Sequence, residues 1–157
     1  MAAVGVGSKS TAALAAAVRS GALDLLMVAG RLTLLEQPAC AEVVPESVGR
    51  GTGLVAAAVF NSGLLASPDP AAVARYEYAD APAEVLDRAR RLAAVCAEHG
   101  VDLPTAALQY PLRAAPVRAV VVGAATPEQV RQNVARVRAD VPPQLWEHLA
   151  AEGLVAA

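Results

Sequence analysis

Lysine is nearly absent from this chain of 157 residues: Lys9 is the only one, and arginine makes up the rest of the thirteen basic side chains. Fifteen acidic residues bring the formal charge to −2, and no basic stripe is interleaved with aromatics, which excludes the electrostatic footprint of a nucleic-acid binder. Aromatic residues are equally scarce at 3%, although 55% of the chain is hydrophobic. Alanine and valine must therefore do most of the packing, which favours close helix-on-sheet contacts over a few large anchors. Only two cysteines occur, Cys40 and Cys96, far apart and outside any Cys-x-x-Cys pair, and neither His99 nor His148 stands at ligand spacing from them. No metal site follows, and both cysteines read as buried reduced thiols. Long apolar runs are missing too. Residues 51–67 carry no charge but are interrupted by Gly51, Gly53, Asn61, Ser62 and Gly63, and fall short of the ~20 apolar residues a membrane span needs. The Ala-rich run at 11–18 has only Lys9 ahead of it, with Leu14 and Val18 as its strong hydrophobes, so it reads as a helix and not as a signal peptide. The expectation is a soluble, cytoplasmic protein with neither membrane nor nucleic acid among its partners.

What is present is alternation. Strands are expected at residues 2–6, 24–29, 54–60 and 117–122, and helices at 11–19, 38–48, 83–99, from 104, from 127 and at 143–152. Pro45 should make the second helix irregular by removing a hydrogen bond inside it. Glu84/Arg88 and Asp87/Arg91 stand four apart on the 83–99 helix and read as a solvated face of ion pairs. A Pro- and Ala-rich loop at 66–82 carries Tyr76 and Tyr78. Near-continuous Val, Leu and Ala strands separated by helices call for parallel pairing with right-handed crossovers, an α/β architecture.

One turn is specified better than the rest: Val120-Val121-Val122-Gly123-Ala124-Ala125-Thr126-Pro127-Glu128-Gln129-Val130-Arg131-Gln132-Asn133. Thr126 suits an N-cap, Pro127 the first helical position, and Gln129 the partner position of a capping box. Glycine between strand and helix lets an anion approach N–H groups that have no intrahelical acceptor, where the helix dipole favours negative charge. Gln129 and Asn133 share a face on which two amides can read a nucleobase edge, beside an apolar stripe of Val130, Val134 and Val137 that can dock on a sheet. Spacing alone leaves an ordinary βα turn as the other reading. The competing Gly5-Val6-Gly7-Ser8-Lys9-Ser10 is no phosphate loop, because Ser8 stands where a Walker loop needs glycine and Ser10 where a dinucleotide fingerprint needs its third.

Gly-x-x-(Ser/Thr)-x-x-Gln-x-x-x-Asn after a Val-rich strand resembles the last strand and following helix of the aldo/keto reductase family. The segment from Gly100 to Leu112 resembles the family's penultimate helix, and Val59-Phe60-Asn61-Ser62-Gly63-Leu64-Leu65 the loop that covers the cofactor pyrophosphate. Gly5-Val6-Gly7 and residues 29–35 look like its fucose or D-threo-aldose dehydrogenase branch. The resemblance implies a single domain over residues 1–157 that forms the C-terminal half of a TIM (β/α)8 barrel, starting at the family's fifth strand, with a cofactor-binding segment at 117–137.

It also implies a function, that of the cofactor-binding half of an NAD(P)-dependent oxidoreductase acting on an aldose or related carbonyl. By motif position Gly123 and Ala124 meet phosphate through the backbone, Thr126 lies near the ribose phosphate, and Gln129 and Asn133 face adenine. Asn61, Ser62 and Leu64 belong to the pyrophosphate loop. Many relatives carry a basic residue where Ala125 stands, so NAD is favoured over NADP, with Arg131 as a possible substitute grip. The family's usual Ser-Asn is Gly7-Ser8 here, and its carboxamide-binding glutamine is Ala29. The family's catalytic aspartate, tyrosine, lysine and histidine come from its N-terminal half, so no catalytic residue is assigned, and the 66–82 loop takes the place of an active-site loop. Open strand edges call for an N-terminal half-barrel or self-association as cover. The alternative is an inactive remnant or a nucleotide-binding or interaction module.

Overall fold

Asp24 sets the start of the sheet. Its Oδ2 accepts the Val4 N–H at 2.8 Å, while the Asp24 and Leu25 N–H groups donate to Val4 O, so the first two strands enter side by side. In the computed structural model, which describes residues 3–156, these strands are β1 (Gly5–Ser8) and β2 (Leu25–Ala29), joined through α1 (Thr11–Arg19). The chain goes on through α2 (Pro38–Glu42), α3 (Val44–Arg50), β3 (Gly53–Ala57), a hairpin of β4 (Arg75–Tyr76) and β5 (Ala79–Asp80), α4 (Ala83–Glu98), α5 (Leu103–Gln109), β6 (Val117–Val121), α6 (Pro127–Arg138) and α7 (Pro143–Ala151). Two compact units result, one made of the chain up to Val59 with Tyr110–Val122, the other of Phe60–Gln109 with the chain from Gly123 onward.

The first unit holds a four-stranded sheet in the order β1-β2-β3-β6, every pair parallel, as alternating strands and helices require. Residues in register point to the same face. Leu26, Val28, Leu54 and Ala56 share one face and are fully buried, with Leu14 and Val18 of α1 in the same core. On the other face Leu25, Met27 and Val121 keep 39%, 40% and 48% of their surface exposed. Gly5 and Gly53 are small on that face for a reason: a Cβ on Gly5 would stand 2.6 Å from Leu25 O, and one on Gly53 would press on Leu25 Cδ1 at 3.0 Å.

Several boundaries differ from expectation. The first strand runs over Gly5–Ser8 and not 2–6, because its pairing follows Leu25–Val28; residue 2 lies outside the described residues. The 38–48 helix is two helices, broken at Val43, with Pro45 in the first turn of α3 where a missing N–H does no harm. The third strand stops at Ala57, since Ala58 turns left-handed at φ +56°. Ser47, inside α3, is buried with no partner for its Oγ.

In the second unit α4 contributes Ala89, Leu92, Val95 and Cys96 to the core, and α7 contributes Leu145, Trp146 and Leu149. The face of α4 expected to hold only solvated pairs is tied to the C-terminal segment instead. Arg88 donates to Leu154 O at 2.7 Å, Arg91 reaches Glu152, and Asp87 pairs with Arg90 rather than Arg91. His99 Nε2 meets His148 Nδ1 at 3.1 Å, a contact between helices that spacing in the chain could not reveal. No cluster of three or more metal-ligating side chains occurs among the described residues, and none of their helices is long and apolar enough to cross a membrane.

Both thiols are free, Cys96 buried and Cys40 only partly so. Burial, and secondarily the Asp102 carboxylate, push Cys96 up to about 12. Burial also raises Cys40, against a hydrogen bond with Tyr110 that lowers it. With a raised folded pKa, the stability contributed by the neutral Cys96 thiol is intact below its ordinary 9.0 and is lost as pH climbs towards 12. We expect an Ellman-type reagent at pH about 8 to modify Cys96 only as fast as the protein unfolds, and urea midpoints to fall less steeply above pH about 9 in Cys96→Ala than in the parent. Replacing Ser47 by alanine removes a buried hydroxyl that lacks a partner and improves helix propensity, so Ser47→Ala should raise unfolding free energy by about 1 kcal/mol in urea titrations.

Candidate functional site

The turn into α6 is built by its own side chains. Thr126 is the N-cap, extended at φ −134° and ψ 153°, and its Oγ1 accepts the Gln129 N–H at 3.2 Å. Gln129 Oε1 accepts the Ala125 N–H at 2.6 Å, so the expected capping box closes one residue early, on Ala125 instead of Thr126. This commits the carbonyl end of Gln129 to the turn and leaves its Nε2 for anything that binds there.

Residues 123–130 are exposed and Asn133 is half-buried. A Cβ on Gly123 would meet nothing within 4 Å, and its φ is not among the positive ones, so neither packing nor backbone conformation asks for glycine at that position. Arg131 is ion-paired with Glu128 at 2.8 Å.

The far end of α6 is fixed from α5. Gln109 Nε2 donates to Arg136 O and Ala139 O, each at 2.8 Å, and Arg136 Nε lies 3.3 Å from Asp102 Oδ2. Within this arrangement the apolar stripe does not dock as expected: Val130, Val134 and Val137 stay 51%, 44% and 41% exposed, and no residue of α6 is buried. The helix is held by its polar end, not by its valines.

The second group of site residues lies on a short 3₁₀ turn, Asn61–Gly63. Asn61 and Leu64 are buried, Leu64 completely and with its N–H donated to Asn61 O at 3.2 Å, whereas Ser62 is exposed. Asn61 and Ser62 are both left-handed, at φ +45° and +60°.

The 66–82 stretch, expected to be a loop, contains the β4–β5 hairpin, whose two-residue turn is Glu77–Tyr78. Both turn residues have positive φ, +48° and +68°, the I′ geometry for which Asn-Gly is the usual sequence. Left-handed backbone costs a non-glycine residue roughly 1–2 kcal/mol, and that absence of the usual turn residues is why the hairpin is hard to see in the sequence. Arg75 Nη2 donates to Tyr78 O at 3.1 Å, and the Tyr78 N–H donates to Ser62 Oγ at 3.4 Å. Tyr78 itself is 89% exposed.

Comparison with known proteins extends these observations. Residues 1–151 match the model of the aldo/keto reductase family. A D-threo-aldose 1-dehydrogenase from a Pseudomonas species is 52% identical over 98% of this chain and 46% of its own length. A pyridoxal 4-dehydrogenase from Microbacterium luteolum is 42% identical over 89% of this chain and 41% of its own. The chain thus spans about half the length of the curated relatives it matches. Among solved structures, the apo form of an aldo-keto reductase from Bacillus halodurans superposes with a TM-score of 0.71 at 22% identity, over 96% of this chain and 50% of that one. A glycerol dehydrogenase from Gluconobacter oxydans gives 0.60 at 17% identity, over 86% and 45%. The four parallel strands alternating with helices are the architecture of half an aldo/keto reductase barrel, and with the family model matched across residues 1–151, this chain belongs to the aldo/keto reductase family.

Proposed function

We propose that this chain is the dinucleotide-binding half of an NAD(P)-dependent oxidoreductase acting on an aldose or a related carbonyl compound, and that the catalytic groups stand in the other half of the barrel. The observation that carries the reading is the open turn into α6: exposed residues Gly123 and Ala124, free space at Gly123, and a dipole end capped by Thr126. In this reading the pyrophosphate or ribose phosphate lies at Gly123, Ala124 and Thr126. Adenine is held by Asn133 and by the Nε2 of Gln129, and Asn61, Ser62 and Leu64 form the segment along the pyrophosphate, with Ser62 as its exposed residue.

NAD is favoured over NADP. Ala125 carries no charge, and Arg131 already answers Glu128, so nothing in the first turn of α6 stands ready to neutralise a 2′-phosphate. The aldose or carbonyl substrate is inferred from the relatives' names alone, and a cytoplasmic setting from the two unbridged thiols.

The exposed valines of α6 and the open sheet face with Leu25, Met27 and Val121 favour a covering partner. We take it to be the N-terminal half of the barrel, on the same polypeptide or another, with self-association as the substitute when it is missing.

Calorimetric titration of residues 1–157 with NAD and NADP tests the cofactor assignment. Asn133→Ala together with Gln129→Ala should weaken dinucleotide binding by about 1–3 kcal/mol, and Asn133→Ala alone is the cleaner report because Gln129 also closes the cap. Unchanged affinity in the double variant removes the adenine assignment. Sedimentation of the isolated chain at high concentration should give a dimer or larger species, and a stable monomer there would contradict the need for cover.

A further inference from the structure

The chain has two histidines, 49 residues apart in sequence, and the fold brings them together. His99 caps the C-terminal end of α4, His148 lies in the last turn of α7, and Nε2 of the first meets Nδ1 of the second at 3.1 Å, with the rings edge to face. We infer that the pair is a proton-operated latch, which holds the ends of α4 and α7 together near neutral pH and lets go when both rings are protonated.

A bond between two imidazoles needs one ring nitrogen that carries a proton and one that does not. Both rings stand at helix C-termini, whose dipoles favour positive charge, so the pair takes up one proton and keeps its bond. A second proton leaves no acceptor and sets two cations against each other at 3.1 Å. The charged groups on the elements packed here are otherwise engaged or turned to solvent. Asp102, at the entry to α5, answers the Thr105 N–H and Arg136; Asp69 accepts the Ala71 N–H in the short turn Pro70–Ala72; Glu147 of α7 is exposed. Only Glu98 stands beside the pair, its Oε2 3.8 Å from His148 Nδ1, and one carboxylate cannot balance two imidazoliums. The other ties from α4 to the C-terminal segment, Arg88 to Leu154 O and Arg91 to Glu152, keep their charges between pH about 5 and 8, where histidine changes its own.

Below pH about 6.5 the unfolded chain takes a proton on each ring, whereas the latched pair takes one. The folded state then binds fewer protons, so the latch makes stability fall as pH falls. Calorimetric thermal midpoints of the parent, His99→Gln, His148→Gln and the double variant, at pH about 7.5 and about 5, isolate this effect, because groups that titrate independently of the pair cancel in the cycle. The parent and double-variant midpoints together, less the two single-variant midpoints, should drop by about 2–4 °C at the lower pH. A value unchanged or higher at pH about 5 overturns the latch and leaves the pair an ordinary contact between helices. Proton NMR of the parent gives the answer without any variant, should glutamine be poorly tolerated at either position. The two histidine C2–H signals move in two separated steps when the rings share a proton, and a single common step overturns the latch.

Discussion

The parallel pairing of β1, β2, β3 and β6 is the constraint on which the first unit depends. Parallel strands cannot be joined by tight hairpins, so each strand must be followed by a crossover, and the crossover segments cover whichever face the strands make most apolar. Here that face carries Leu26, Val28, Leu54 and Ala56 with no exposed surface. The opposite face is left with glycines, Leu25, Met27 and Val121, and the edge strands β1 and β6 each have one side without a neighbour. In a closed family barrel the same face is the packed interior and neither strand is an edge. The chain spans about half the length of its curated relatives, and one face of its sheet keeps apolar residues exposed.

Much of this was legible in the chain because its signals are local. Thr126, Pro127 and Gln129 mark the start of α6 through cap chemistry that needs no tertiary partner, and α4 and α6 emerge where helical periodicity is longest. The split at Val43 follows from Pro45 by the same kind of local rule. What escaped depends on long-range geometry. The pairing of His99 with His148, the reach of Arg88 and Arg91 to the C-terminal segment, and the bare Val130, Val134 and Val137 are set by which elements meet, which spacing along one helix cannot state. The hairpin at 75–80 escaped for another reason: Glu77 and Tyr78 are not turn formers, and only strain reveals them.

The candidate site unites two kinds of backbone economy. At α6 the cap uses Ala125 N–H and Gln129 N–H internally while Gly123 and Ala124 are left to solvent, so one short turn both ends a helix and faces outward. At Asn61–Gly63 and Glu77–Tyr78 the chain instead holds unfavourable φ values, and the Tyr78 N–H to Ser62 Oγ bond joins the two turns. The first arrangement is stable on its own, whereas the second persists only while its supports remain.

Trp146 is the chain's one indole, and it sits on α7, 7% exposed. Its emission therefore reports the packing around α7 in the second unit. A melting curve followed by that fluorescence and another followed by backbone ellipticity sample different parts of one polypeptide. Their coincidence or separation is a direct optical reading of whether the two units share a single cooperative transition.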